Sequence, residues 1–148
     1  MNTDQLGITV HNLTSPDLSD KGVEALIQAR GKTAPRITPA DIEGNISSEH
    51  YFTARQAMLS PSEDIIQVWA DIEECGKEVV PFSLLTFCIL VLRNGFTVTG
   101  ESACASPENF DAGIGRKIAR TNAVLKIWPL MGYQLKQELH LADKKDTA

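Results

Sequence analysis

The sequence has no apolar run approaching the eighteen or so residues that a membrane-spanning helix needs. Its first ten residues, Met1 to Val10, lack the basic start and apolar stretch of a secretory signal, which predicts a cytoplasmic protein with no membrane partner. Cysteine is scarce as well: Cys75, Cys88 and Cys104 are an odd number without C-x-x-C spacing. Neither a disulfide framework nor a zinc site is suggested, and reduced thiols are expected. Nor is there a basic excess. Fourteen Lys and Arg face nineteen Asp and Glu, a net charge of −5, which argues against non-specific binding to duplex DNA and gives no reason to expect sequence-specific nucleic-acid recognition.

Catalytic signatures are missing in the same way. The three histidines, His11, His50 and His140, stand in no recognisable motif. Hydrolytic catalysis requires a nucleophile, a base and an oxyanion site together. Glu49-His50 lacks the second histidine of a zinc-binding pair, and no metal site is expected; a partly buried histidine donating to a carbonyl is the simpler reading. No G-x-x-x-x-G-K-[ST] is present. Gly113-Ile114-Gly115 lacks the third glycine and the strand-to-helix setting of a dinucleotide fingerprint. Cys104 falls near an expected helix start, where a thiol pKa can be depressed, but a structural cysteine is favoured because no histidine lies in sequence reach. The chain is not expected to be an enzyme, and no cofactor is implied.

What is present is the composition of one small globular domain: 148 residues, 43% hydrophobic and 22% charged. Residues 1–36 mix polar residues with turn formers and read as a variable segment, in which Ser15-Pro16-Asp17-Leu18 can open a short helix carrying Val23, Leu26 and Ile27 on one side. Gly31 to Pro35 reads as a linker. A domain is expected over 37–141, with 142–148 a disordered tail. Thr38 as cap, Pro39 at the first helical position, Asp41 reaching back and Ile37 stapling onto Ile42 predict a helix from Pro39 to about Met58. Ser60-Pro61-Ser62-Glu63 repeats the capping pattern and predicts another short helix to about Glu74, ended by Gly76.

Val79 to Leu92 then turns β-like and almost unbroken in apolar residues, so both faces of that strand need cover. Asn94-Gly95 is a strong hairpin signal, and Phe96 to about Ser102 is the return strand. Ser106-Pro107 predicts the start of a long C-terminal helix, which Pro129 and Gly132 are expected to break or bend. At 100° per residue, Phe110, Ile114, Ile118, Leu125 and Trp128 share one side and are the expected core stripe. The opposite side holds Ala112, Gly113, Arg116, Arg120 and Ala123 with Lys126 at its margin, a shelf of small residues beside cations. The fold class is therefore α+β: an antiparallel β-hairpin packed against a long C-terminal helix, preceded by N-terminal helices.

Leu85 to Tyr133, with its NGF, ESAC, PENFD, IGR and KIWPL elements in order, resembles the phage accessory family called gene-forty-nine-like. RITPADIEGNISSEHYFTARQAM, residues 36–58, resembles that family's N-terminal helix. The resemblance implies a phage or prophage origin, a hairpin-plus-helices fold and no assigned catalytic residues. The same plan is more loosely similar to the anti-Thoeris sponge Tad one, which sequesters cyclic ADP-ribose isomers and cyclic oligonucleotides made by bacterial immune enzymes. That similarity implies ligand-binding roles for Asn109 at the helix start and Lys126 on the helix, with Thr99 where an aromatic stacking residue is wanted.

Capture without turnover needs cations for phosphate, a polar group for ribose and an aromatic for the base, which Arg116, Arg120, Lys126, Asn109 and Tyr51 can supply. The leading expectation is a homo-oligomeric sponge, a dimer or larger even assembly, for a small cyclic nucleotide ligand. The alternative is a protein-binding module that modifies a host or phage complex.

Overall fold

The computed structural model describes residues 17–58 and 80–146. The chain divides into two compact units, Met1–Pro35 and Arg36–Ala148. In the first, helix α1 spans Asp20–Ala29 and is capped by Ser19, whose side chain accepts from the Gly22 amide at 3.2 Å. The helix expected to open at Ser15-Pro16 thus starts later. None of its residues is buried.

The second unit begins with the capping box read from the sequence. Helix α2, Pro39–Asn45, starts where the Thr38 amide donates to Asp41 Oδ2 at 2.8 Å and the Asp41 amide donates to Thr38 Oγ1 at 3.2 Å. Ile37 packs on the core beside Ile42, which is 1% exposed. The helix expected to run on to Met58 stops at Asn45 instead. Strand β1, Ile46–Thr53, follows, and then a short helix α3, Ala54–Met58. The physical reason is long-range. Ile46 to Thr53 hydrogen-bonds along the apolar strand β2, Leu85–Leu92, and this pairing outweighs local helix preference, already weakened by Gly44. The helix expected over Ser60 to Glu74 lies outside the described residues.

A four-residue helix α4, Val80–Ser83, precedes β2, so the strand starts at Leu85 rather than at Val79. Strand β3, Thr97–Ala103, pairs antiparallel with β2, giving a three-stranded antiparallel sheet in the order β1-β2-β3. The hairpin turns where the sequence placed it, through a three-residue loop. The Gly95 amide donates to Leu92 O at 2.9 Å, the Leu92 amide donates to Phe96 O at 2.8 Å, and Gly95 has φ +83°, the left-handed conformation that favours glycine.

The long helix α5 spans Ala112–Asp146 and packs on one face of the sheet, confirming the α+β class. It passes unbroken through Pro129, which had been expected to break or bend it, and positions 142–146 of the expected tail are helical. Its buried side departs from the expected core stripe. Gly115, Ala119, Ala123 and Ile127 face the sheet, while Ile114, Ile118 and Leu125 of the expected core stripe are 58%, 46% and 56% exposed. Trp128 alone of the larger stripe residues packs against the core. The cause is close approach: a Cβ on Gly100 of β3 would meet Ala119 O at 2.1 Å and the Ala123 amide nitrogen at 2.3 Å. The helix backbone thus rests directly on the strand, and only small side chains fit between. Of the expected shelf only Ala123 joins the core; Ala112 and Gly113 are exposed.

Strand β2 alternates accordingly. Thr86, Cys88, Leu90 and Leu92 are buried beneath α5, and Leu85, Phe87, Ile89 and Val91 are half-buried on the other face. There Phe87 stacks on Phe52 with ring centroids 5.4 Å apart.

Candidate functional site

The chain leaves β3 at Ala103 and is tied back to the sheet by the Cys104 amide, which donates to Leu84 O at 3.0 Å. Ser106-Pro107 opens only a 3₁₀ turn, Pro107–Asn109, and Ser106 makes no side-chain cap. The cap of α5 is Asp111. Its Oδ1 accepts from the Ile114 amide at 2.8 Å and its carbonyl accepts from the Gly115 amide at 2.9 Å. The Cys104 thiol donates to Ser106 O at 3.2 Å.

Between this connection, the ends of β2 and β3, and the first turns of α5 lies a cavity of about 230 Å³. Its walls include Leu84, Phe110, Ile114 and Ile118; its polar groups are Thr86, Ser102, Asn109, Asp111 and the Cys104 thiol. Among the described residues no lysine or arginine lines it. Thr86 is 3% exposed, and its hydroxyl has no hydrogen-bond partner among the described residues. An unpartnered buried hydroxyl is destabilising by about 1–3 kcal/mol, so it requires an explanation.

A second polar cluster joins α2, β1 and α5. Arg120 grips Glu43 with two parallel bonds, Nη1–Oε1 at 3.1 Å and Nη2–Oε2 at 2.7 Å, and holds Glu49 Oε1 from Nε at 3.0 Å and Nη2 at 2.8 Å. The Tyr51 hydroxyl donates to Glu49 Oε2 at 2.5 Å. The hydrogen bonds from Arg120 and Tyr51 hold the Glu49 carboxyl below the usual glutamate range. Burial, then the bond to Glu49, pushes the Tyr51 phenol upward, and burial raises the neighbouring Cys88 thiol. The Arg120 guanidinium is held charged chiefly by its bonds to Glu43 and Glu49. Such an arrangement clamps three elements together.

The residues expected to form one ligand site are therefore spread over several places. Asn109 lines the cavity. Tyr51 and Arg120 come together, linked through Glu49. Lys126 lies 3.9 Å from Glu101 at the β3 edge, and Arg116 is exposed on α5. Thr99 is exposed on the opposite face of the sheet from α5, because Val98 and Gly100 on either side of it are buried under the helix. His50, expected within a helix and partly buried, is exposed on β1 with Nε2 3.1 Å from Ser48 Oγ.

Sequence reasoning missed Thr86, Glu43 and Glu49. For Thr86 a signal existed: it is a polar residue inside an otherwise apolar strand. Glu43 and Glu49 carry none, since they are 77 and 71 residues from Arg120.

Among the described residues no group of three or more His, Cys, Asp or Glu is placed to hold a metal, and no helix is long and apolar enough to cross a membrane. No curated protein and no solved structure matches the chain. One family model does match, over residues 37–139, which include α2, the whole sheet, the cavity and most of α5. The resemblance read from the NGF, ESAC, PENFD, IGR and KIWPL elements is thereby borne out, and the chain belongs to the phage protein family of N4 Gp49 and phage Sf6 gene 66.

Proposed function

We propose that this phage protein is a sponge: it captures a small cyclic nucleotide signal, such as a cyclic ADP-ribose isomer or a cyclic oligonucleotide, and holds it without turnover. The observation that carries the reading is the cavity at the start of α5. It is lined by Asn109, the residue to which the sponge similarity assigns a ligand role, together with further hydrogen-bonding groups and apolar walls. Sequestration needs shape and hydrogen bonds rather than a nucleophile or base.

Arg120 is committed to Glu43 and Glu49, so phosphate falls to exposed Arg116 and to groups of a second copy. Ile114 and Ile118 line the cavity and are exposed, and Leu125 continues the same flank. Burying this flank against a second chain gives a homodimer or larger even assembly and sets the partner beside the cavity. The test is to incubate purified protein with cyclic ADP-ribose isomers and cyclic di- and trinucleotides, remove free ligand and release the bound fraction by heat. Intact nucleotide in stoichiometric amount is expected. None retained at micromolar protein would sink the reading.

The second reading, a protein-binding module, is favoured by the half-buried apolar residues Phe52, Phe87, Ile89 and Val91 on the sheet face away from α5. A host protein that co-purifies stoichiometrically with wild type and with Asn109→Ala, alongside no released nucleotide, selects it.

A further inference from the structure

We infer that the cavity at the start of α5 takes an uncharged heterocycle, the base end of a nucleotide, with the Thr86 hydroxyl as its buried hydrogen-bonding partner, while phosphate stays outside. The choice of a base among heterocycles rests on the sponge reading above; the preference for an uncharged ring rests on the lining itself.

Three observations converge. First, Thr86 is a buried polar residue of β2 whose hydroxyl has no partner among the described residues, although it lines a cavity. Gly115 stands over that hydroxyl, and a Cβ there would lie 3.0 Å from Thr86 Oγ1. A ligand donor or acceptor supplies what the fold leaves unmet. Second, the charge is wrong for phosphate. Among the described residues no lysine or arginine lines the cavity, and the Asp111 carboxylate does. That carboxylate also caps α5 and takes up the Ile114 amide, so the helix start is already satisfied by an anion of the protein. Third, about 230 Å³ falls below the roughly 300–1,000 Å³ of pockets that enclose a drug-sized molecule, which suits one ring system and not a whole nucleotide. Leu84, Phe110 and Ile118 supply apolar walls for the ring, and the Asn109 carboxamide offers both a donor and an acceptor to its edge.

The experiment follows amide signals of the full chain by NMR during titration with adenosine, guanosine, nicotinamide or inorganic phosphate, repeated on Thr86→Val and Gly115→Ala. At least one heterocycle is expected to shift the Thr86, Asn109 and Gly115 signals, and phosphate is not. Thr86→Val keeps the shape and removes the hydroxyl, so it should raise the melting temperature of the free protein while weakening heterocycle binding about tenfold. Gly115→Ala fills the space above the hydroxyl and should weaken binding with the fold retained.

The inference is overturned if no heterocycle shifts these signals at millimolar concentration, if phosphate shifts them instead, or if Thr86→Val binds as wild type does. It is equally overturned if Thr86→Val lowers the melting temperature, which would mean that the hydroxyl is partnered within the chain. Heterocycle binding without retention of any cyclic nucleotide removes the sponge and leaves the cavity assignment standing. Cyclic nucleotide retained equally by wild type and both variants does the reverse.

Discussion

Arg120 illustrates what a residue's identity does and does not convey. Its charge and helix position were legible in the sequence; its partners were not, because Glu43 and Glu49 reach it only through the pairing of β1 with β2. The guanidinium is 28% exposed and Glu43 56%, so solvent screens part of the attraction. After that discount, Arg120→Ala is expected to cost about 1–2 kcal/mol in urea unfolding. Arg120→Lys should recover only part of this, since an ammonium cannot make the two parallel bonds to Glu43. Glu49 adds a pH signature. Its carboxyl titrates below the ordinary value of 4.5 in the folded chain, so its contribution to stability is present above that value and is lost as pH falls through the lowered one. Glu49→Gln should therefore be less stable than wild type at neutral pH, and the gap should close on acidification below the usual glutamate range. A gap that stays constant down to pH 3 would show that Glu49 contributes no such linkage.

At the scale of elements, α5 buries a row of mostly small residues in place of most of the expected stripe of large ones. Gly115, Ala119, Ala123 and Ile127 recur every fourth residue, and the row leads into Met131, which packs on the same core. Large side chains at these positions would lift the helix off Gly100. Gly100→Ala should accordingly destabilise the fold by about 1–3 kcal/mol or more, because the new Cβ meets helix backbone that cannot yield as a flexible side chain does. Chemical denaturation measures it, and a change within about 0.5 kcal/mol would contradict the close contact. Pro129 gives the opposite sign. It is exposed inside an unbroken helix, where proline lacks an amide and clashes with the preceding turn. Pro129→Ala should stabilise the chain, by up to about 3 kcal/mol, visible as a higher melting temperature.

For the molecule as a whole, one sheet face lies under α5, and apolar surface remains on the flank of Ile114, Ile118 and Leu125. The proposed assembly along that flank is expected to give a mass of at least twice the 16.2 kDa chain by light scattering at tens of micromolar. Ile118→Asp should return it towards 16.2 kDa with the circular dichroism unchanged and nucleotide retention reduced. A wild-type mass at the single-chain value would remove the second copy from the site.

The sequence by itself determined what neighbouring residues encode. The capping box of Thr38 and Asp41, the turn at Asn94-Gly95, the apolar run that becomes β2, the long C-terminal helix and the ordered family elements all depend on residues a few positions apart. Tertiary structure alone decided the rest. Residues 46–53 became a strand because β2 offered a partner, α5 turned Gly115, Ala119 and Ala123 inward because Gly100 let two backbones meet, and Arg120 was neutralised by distant carboxylates. The cavity exists only where the ends of β2 and β3 meet the first turns of α5. In each case the deciding energy is a contact between segments far apart in the chain, which a local pattern of side chains cannot carry.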